Sequence, residues 1–146
     1  MKKYIISIDA GTTSNRAILF DLKGKPVFSS QKEFTQYFPK SGWVEHNPEE
    51  IWSTTKKVLK DVISKARKLR GKVLAIGITN QRETTVLWDK KTGKTVYKAI
   101  VWQDRRQAEY CKKLKKQNKE TLIFNKTGLP IDSYFSGTKI KWILDN

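Results

Sequence analysis

The first 34 residues contain the feature that most restricts the fold of this chain. Residues 4–8 and 17–20 are apolar and rich in β-branched side chains, and a short polar segment separates them. Two such runs around a turn are typical of a β-hairpin. A second turn at residues 22–25 leads into a third predicted strand at residues 26–34. The sheet is therefore expected to begin as an antiparallel meander whose first and third strands run in the same direction.

The polar segment at residues 9–16 has the composition of a phosphate-binding loop. Gly11 lets the backbone approach a ligand closely and offer N–H groups, and the guanidinium of Arg16 suits phosphate oxygens. Three consecutive residues add hydroxyl groups: Thr12, Thr13 and Ser14. Asp9, at the carboxyl end of the first strand, is suited to hold Mg²⁺ through water. An ordinary hairpin with a polar turn is the alternative, and the segment matches neither a Walker loop nor G-x-G-x-x-G.

A helix is predicted after the meander, with Asn47 as its N-cap and Gly71 at its end. Residues 73–79 form an almost continuous apolar run, which predicts a strand covered on both faces. The order strand, helix, strand predicts a right-handed crossover, so this strand is expected to run parallel to the first. Asp9 and residues 80–83 are then expected along one edge of the sheet, where ligands of such folds bind.

Shorter elements are predicted for the second half of the chain. Residues 84–88 and 98–102 are interpreted as strands on either side of a turn at residues 89–93. Asp104 is predicted to cap a helix that ends near residue 118. A loop at residues 127–136 and a last helix at residues 138–144 complete the prediction.

Arg82 and Glu83 form a second candidate site. A guanidinium beside a carboxylate can satisfy both the acceptor and the donor capacity of a polyol's hydroxyl groups. Trp102, at the end of another predicted strand, can supply an apolar face for the carbon backbone of such a ligand. A surface ion pair of little energetic weight is the alternative.

The amino-acid composition limits the classes of protein to which this chain can belong. The 146 residues are 38% hydrophobic, which suits one globular domain, and no apolar run is long enough for a membrane span. One cysteine, Cys111, fits a reducing compartment, so a cytoplasmic location is expected. The net charge of +16 comes from scattered lysines without a nucleic-acid-binding motif, so no specific nucleic-acid role is expected.

Five segments together give the chain a family resemblance. It resembles the N-terminal part of the FGGY family of carbohydrate kinases, and in particular the members that phosphorylate glycerol. The matching segments follow one another without gaps, at residues 9–16, 42–48, 77–85, 100–106 and 134–139. Related pentulose kinases keep the phosphate hairpin but differ at residues 81–83, so glycerol is the substrate that the resemblance implies.

The resemblance implies an α/β, actin-like (ribonuclease H-like) ATPase fold, with a mixed sheet flanked by helices. In such kinases the position matching Asp9 helps to hold Mg²⁺, and four positions matching hairpin residues contact the phosphates of ATP: Thr12, Thr13, Ser14 and Arg16. The glycerol-binding positions match Thr12, Arg82, Glu83, Trp102 and Tyr134. The implied reaction is transfer of the γ-phosphoryl group to a terminal hydroxyl of glycerol.

Family members are several times longer than this chain, so residues 1–146 are expected to be an incomplete N-terminal kinase domain. The resemblance places the general base beyond residue 146, and no catalytic residue is assigned within the chain. The isolated chain is therefore expected to be inactive, with the remaining kinase or a split subunit as its partner. A non-catalytic remnant or ligand-binding module is the alternative, and exposed apolar surface predicts self-association.

Overall fold

The computed structural model describes all 146 residues and divides them into two compact units. The first, here called the sheet unit, comprises Met1–Thr35 and Asn47–Gln81; the second, the helical unit, comprises Gln36–His46 and Arg82–Asn146. The strands are β1 (Lys2–Ala10), β2 (Ser14–Asp21), β3 (Pro26–Glu33), β4 (Glu45–His46), β5 (Gly71–Asn80) and β6 (Ala99–Ile100). The helices are α1 (Pro48–Lys68), α2 (Ala108–Lys116), α3 (Glu120–Thr127) and α4 (Ser136–Asp145).

The sheet unit is a four-stranded mixed sheet in the order β3-β2-β1-β5, covered on one face by α1. β1, β2 and β3 form the predicted antiparallel meander, and β5 runs parallel to β1. Alternate side chains of β1 and β2 are buried, so one face of the meander is apolar. The core consists of that face and the inner stripe of α1: Tyr4, Ile6, Ile8, Ala17, Leu19, Val58, Val62 and Ala66.

The start of α1 is as predicted, and its end is not. The Asn47 side chain accepts a hydrogen bond from the Glu49 amide at 3.0 Å, which satisfies a free donor of the first turn. The prediction that Gly71 ends the helix is wrong, because the left-handed residue after α1 is Arg70, with φ at 54°. Gly71 is the first residue of β5, where a Cβ would lie 2.1 Å from Cε2 of Tyr4. Its missing side chain makes room for the Tyr4 ring.

β5 differs from its prediction in its surroundings. The apolar run at residues 73–79 predicted a strand covered on both faces, yet nearly all of its residues are exposed. Leu74, Ile76 and Ile78 are 48%, 45% and 73% exposed. The reason is its position at the end of the sheet, since α1 packs mainly on β2 and β3. The apolar pattern correctly predicts a strand but says nothing about which neighbours this chain supplies.

The helical unit contains a two-stranded antiparallel sheet, β4-β6, and three helices. β4 lies between β3 and α1, in a segment for which no element was predicted. The predicted strand at residues 84–88 is not formed, because Thr85 and Trp88 make only isolated bridges, to Ile100 and Thr95. The turn at residues 89–93 is confirmed: the Asp89 carboxylate accepts bonds from the amides of Lys91 and Thr92.

Asp104 does not cap α2, contrary to the prediction, because its carboxylate is occupied elsewhere. It accepts a hydrogen bond from the Val44 amide at 2.7 Å and two from the Arg106 guanidinium at 2.8 and 2.9 Å. Arg106 also donates to Glu45 at 2.8 Å, and its side chain is fully buried. Its guanidinium lies over the rings of Trp43 and Trp142, 3.9 and 4.6 Å from their centroids. This ionic and aromatic cluster is a centre of packing in the helical unit.

The remaining helices complete the unit. α4 agrees with its prediction to within two residues at its start, whereas α3 was not predicted. Cys111 is buried in α2, and burial raises the pKa of its thiol. No helix of the chain has both the length and the apolar character that crossing a membrane requires.

Candidate functional site

The loop between β1 and β2 closes tightly at Gly11. The Gly11 amide donates to the carbonyl of Ser14 at 3.0 Å. A Cβ on Gly11 would lie 3.0 Å from that same oxygen, so a side chain would press against the backbone. Glycine therefore allows this tight closure, and its N–H, which was expected to be offered to a ligand, is used within the loop instead.

A row of polar residues crosses the sheet beside this loop. Asp9 on β1 pairs with Arg16 on β2, and Arg16 pairs with Gln31 on β3. Paired residues project from the same side of a sheet, and the neighbouring residues Ile8 and Ala17 are buried toward α1. The row therefore lies on the face opposite the helix, near the carboxyl end of β1.

Gln31 connects two of the predicted phosphate ligands, and sequence reasoning did not identify it. Its Oε1 accepts from Nε of Arg16 at 3.0 Å, and its Nε2 donates to the Ser14 hydroxyl at 2.9 Å. The Arg16 guanidinium is fixed through Nε while its terminal nitrogens make no hydrogen bond within the protein. The meander alone could have indicated Gln31, because residues of β3 face residues of β2 in register.

Asn15 fixes the loop to the helix from the other side of the sheet. It is fully buried, and its Nδ2 donates to the Ile51 carbonyl at 2.9 Å and to the Thr54 hydroxyl at 2.6 Å. Because Asn15 lies between Ser14 and Arg16, its anchoring fixes the position of both neighbours. The loop is thus held by Asn15 below the sheet and by Gln31 above it.

The free groups of the hairpin fit a magnesium-bound phosphate chain. The Asp9 carboxylate is exposed and makes no hydrogen bond or ion pair with the protein, and Thr13 is also exposed. No group of three or more His, Cys, Asp or Glu side chains gathers around a possible metal position in the chain. A single unpaired carboxylate beside groups that donate hydrogen bonds to phosphate suits Mg²⁺. This ion keeps several of its waters and is usually bound by one or two carboxylates together with phosphate oxygens.

The second candidate site is built in the helical unit around Glu83. Thr85 exchanges both backbone hydrogen bonds with Ile100, at 2.9 and 3.0 Å. Because this pair is antiparallel, Glu83 and Trp102 extend from it on the same side. The Trp102 amide donates to the Thr84 hydroxyl at 3.3 Å, which fastens the two segments together.

Tyr134 and Ser136 complete this site. The rings of Tyr134 and Trp102 meet edge to face, with their centroids 5.9 Å apart. The Ser136 hydroxyl donates to the Glu83 carboxylate at 3.0 Å. The contacts join Trp102 to Tyr134 and Ser136 to Glu83, and we call these four residues the Glu83 cluster. Ser136 is in a motif that carried the resemblance but had been given no role.

The backbone, the neighbouring arginine and a cavity further characterise this site. Glu83 has φ at 66°, a left-handed conformation that is uncommon for a residue with a side chain and that often marks functional sites. Arg82, just before it, is exposed, and no ion pair joins it to Glu83, so the alternative of a surface ion pair is not supported. A cavity of about 420 Å³ opens beside Glu83 and Ser136, with apolar walls that include Ile131 and Phe135.

Comparison with known proteins gives these two sites a context. The sequence profile of the FGGY family of carbohydrate kinases, N-terminal domain, matches residues 4–146. The chain belongs to the FGGY family of carbohydrate kinases.

Its relatives in the FGGY family include glycerol kinases whose sequences match it over its entire length. Identity is 60% over 146 residues with the glycerol kinases of Petrotoga mobilis and Bacillus cereus. The chain spans 29% of the length of each of these curated relatives. The predicted resemblance to the N-terminal part of glycerol kinase is thereby confirmed.

Solved structures agree in fold. The crystal structure of Plasmodium falciparum glycerol kinase with ADP matches 99% of the chain with a TM-score of 0.91 and 37% identity. Gluconate kinase from Lactobacillus acidophilus matches all of it with a TM-score of 0.90 and 26% identity. The chain covers 29% of each of these two proteins. The predicted actin-like α/β fold of sugar kinases is confirmed.

Proposed function

We propose that this chain contributes to the phosphorylation of glycerol by ATP. In this proposal the hairpin at residues 9–16 binds the nucleotide phosphates and the Glu83 cluster, with Arg82, binds glycerol. Identity of 60% with curated glycerol kinases supports the choice of glycerol among the substrates of FGGY kinases. The structural observation that carries the proposal is the Glu83 carboxylate, which the Ser136 hydroxyl holds at a residue with a left-handed backbone.

The groups of the Glu83 cluster match the chemistry of a small polyol. A carboxylate accepts hydrogen bonds from hydroxyl protons, and a guanidinium donates to hydroxyl oxygens, so Glu83 and Arg82 provide both kinds of partner. The ring edges of Trp102 and Tyr134 offer apolar contact for the carbons. The Ser136 hydroxyl holds the Glu83 carboxylate in place before a ligand arrives, which lowers the entropic cost of binding.

The hairpin supplies the other half of the proposed reaction. Thr12, Thr13 and Ser14 bring hydroxyl and amide groups next to the free terminal nitrogens of Arg16. ATP would supply the phosphoryl group, with Mg²⁺ offsetting its charge beside Asp9. Thr12 is also proposed to contact the substrate. The protein's share in this chemistry is to fix the reactants and to stabilise charge.

Glycerol titration of the ¹⁵N-labelled chain, followed by amide chemical shifts, tests the substrate assignment. We expect shifts centred on residues 82–84, 102 and 134 and their loss in Arg82→Ala, which removes a donor to the ligand's hydroxyls. The response should weaken in Glu83→Gln, because one acceptor oxygen and the negative charge are replaced by an NH₂ donor. Arg67→Ala, an exposed arginine of α1, is the matched control and should respond as the parent does. A parental response in Glu83→Gln would place glycerol elsewhere.

A further inference from the structure

Lys139 is a buried lysine in α4 that the proposed function does not use. Only 1% of its surface is exposed, although a lysine is almost never fully buried unless it is paired. Its Nζ donates a hydrogen bond to the backbone carbonyl of Tyr134. Three carboxylates of the helical unit act on its charge, those of Glu83, Asp104 and Asp132 in decreasing order.

These contacts connect Lys139 to two members of the Glu83 cluster. The carbonyl that it binds belongs to Tyr134, and the carboxylate that attracts it most is that of Glu83. Ser136, one helical turn before Lys139, binds the Glu83 carboxylate from the same helix. Two side chains of α4 therefore hold the loop carrying Tyr134 and the residue with the left-handed backbone.

We propose that Lys139 is a positioning residue for the polyol site, holding Tyr134 by its carbonyl and Glu83 by its charge. The inference rests on the proposed function for its substrate, but the contacts of Lys139 exist without a ligand. A residue needed only for stability would be better as an apolar side chain, since burial removes the hydration of the ammonium and its one hydrogen bond and the three carboxylates offset that loss only in part. Its cost to stability indicates a positioning role.

Because Lys139 holds Tyr134 and Glu83, α4 can affect the binding of glycerol without contacting the ligand itself. Lys139→Met keeps most of the side chain's volume and removes both the donor and the charge. Lys139→Gln keeps a donor for the Tyr134 carbonyl and removes only the charge. Lys141→Met is the matched control, because Lys141 is an exposed lysine of the same helix that pairs with Asp145.

The experiment compares amide spectra of these variants without ligand and then during glycerol titration. We expect Lys139→Met to shift the amides of Glu83, Tyr134 and Ser136 and to weaken glycerol binding about tenfold or more, whereas Lys141→Met changes neither. Lys139→Gln should leave the Tyr134 amide closer to its parental position than Lys139→Met does. Parental spectra at Glu83 and Tyr134, or parental glycerol affinity in Lys139→Met, would overturn the inference.

Two other outcomes are also decisive. If the parent chain does not respond to glycerol, the proposed function fails, while the ligand-free shifts still test the positioning role. If neither Lys139 variant folds, the parent chain is titrated with base instead. Its Glu83 and Tyr134 amides must then move together as Lys139 loses its proton, and amides that stay in place overturn the inference.

Discussion

The charge of Lys139 has a measurable effect at the scale of a single residue. Burial lowers the pKa of its ammonium group to about 8, against the opposing attraction of Glu83, Asp104 and Asp132. Cys111 also acts on it, but burial raises the pKa of that thiol, so it ionises at higher pH. Lysine in an unfolded chain keeps its ordinary pKa.

The stability of the chain should therefore rise as this lysine is titrated. The unfolded chain binds more protons than the folded chain between pH 8 and the ordinary pKa of lysine, so the free energy of unfolding increases with pH there. We expect a gain of about 2 kcal/mol from pH 7 to pH 9.5 relative to Lys139→Met. Urea denaturation of both proteins at the two pH values measures it. A constant difference between them would show that Lys139 is not desolvated in the folded chain.

At the scale of elements, Arg106 links β4 to the segment before α2. It pairs with Glu45 and Asp104, and all three side chains are buried. Burial by itself would lower the pKa of the guanidinium, but the hydrogen bonds that it donates to Asp104 and Glu45 raise it overall. The positive charge is therefore permanent, and it lies between two buried carboxyl groups.

Removing this charge should destabilise the helical unit strongly. Arg106→Met leaves Glu45 and Asp104 buried without their partner, which typically costs about 3–5 kcal/mol. Arg105→Met is the neighbouring control, because Arg105 is exposed and forms only a long ion pair of 3.4 Å with Asp132. Urea unfolding followed by tryptophan fluorescence reports on Trp43 and Trp142 beside Arg106. Equal midpoints for the two variants would contradict the role given to Arg106.

Local patterns account for the elements that the sequence predicted correctly. The meander and α1 follow from alternation, turn residues and an N-cap at Asn47, all of which act between near neighbours. Asp104 was mistaken for the cap of α2 because one of its partners, Val44, is far away in the sequence and meets it only in the folded unit. The segment at residues 84–88 has the composition of a strand, but only Thr85 exchanges both hydrogen bonds with a neighbour.

The candidate sites, like the elements, could be predicted only where the contributing residues are close together in the sequence. The hairpin residues and Arg82–Glu83 stand out because their chemical groups are adjacent in the sequence. Gln31, Ser136 and Lys139 were missed because they act on residues that are distant in the sequence or through the backbone. The left-handed backbone of Glu83 has no signal in the sequence, since glycine and asparagine are the residues expected there.

At the scale of the whole molecule, the roles proposed for residues of this chain are in binding, and none is in proton transfer. It spans 29% of the length of the glycerol kinases that it matches. Phosphoryl transfer requires both reactants to be fixed in line and the attacking hydroxyl to be oriented, normally with a general base. We therefore expect the purified 146-residue chain to bind glycerol but not to phosphorylate it.

A coupled assay with saturating ATP, Mg²⁺ and glycerol measures this activity. Turnover that tracks the purified chain and disappears in Asp9→Ala would show that the chain contains its own catalytic base. An Asp9→Ala variant with unchanged turnover would instead indicate a contaminating kinase, because Asp9 is the only carboxylate placed at the phosphate hairpin.

β5 is the last strand of the sheet, and this position determines how its backbone amides exchange hydrogen. β5 pairs with β1 on one side only, and backbone N–H groups along a strand point alternately to its two sides. Deuterium should therefore enter alternate amides of residues 75–80 quickly and the amides between them slowly. The amides of β1, paired with β2 on one side and β5 on the other, should all exchange slowly in the same region. A partner strand that binds beside β5 would remove the alternation, so the pattern of exchange reports directly on whether this side of the sheet is occupied.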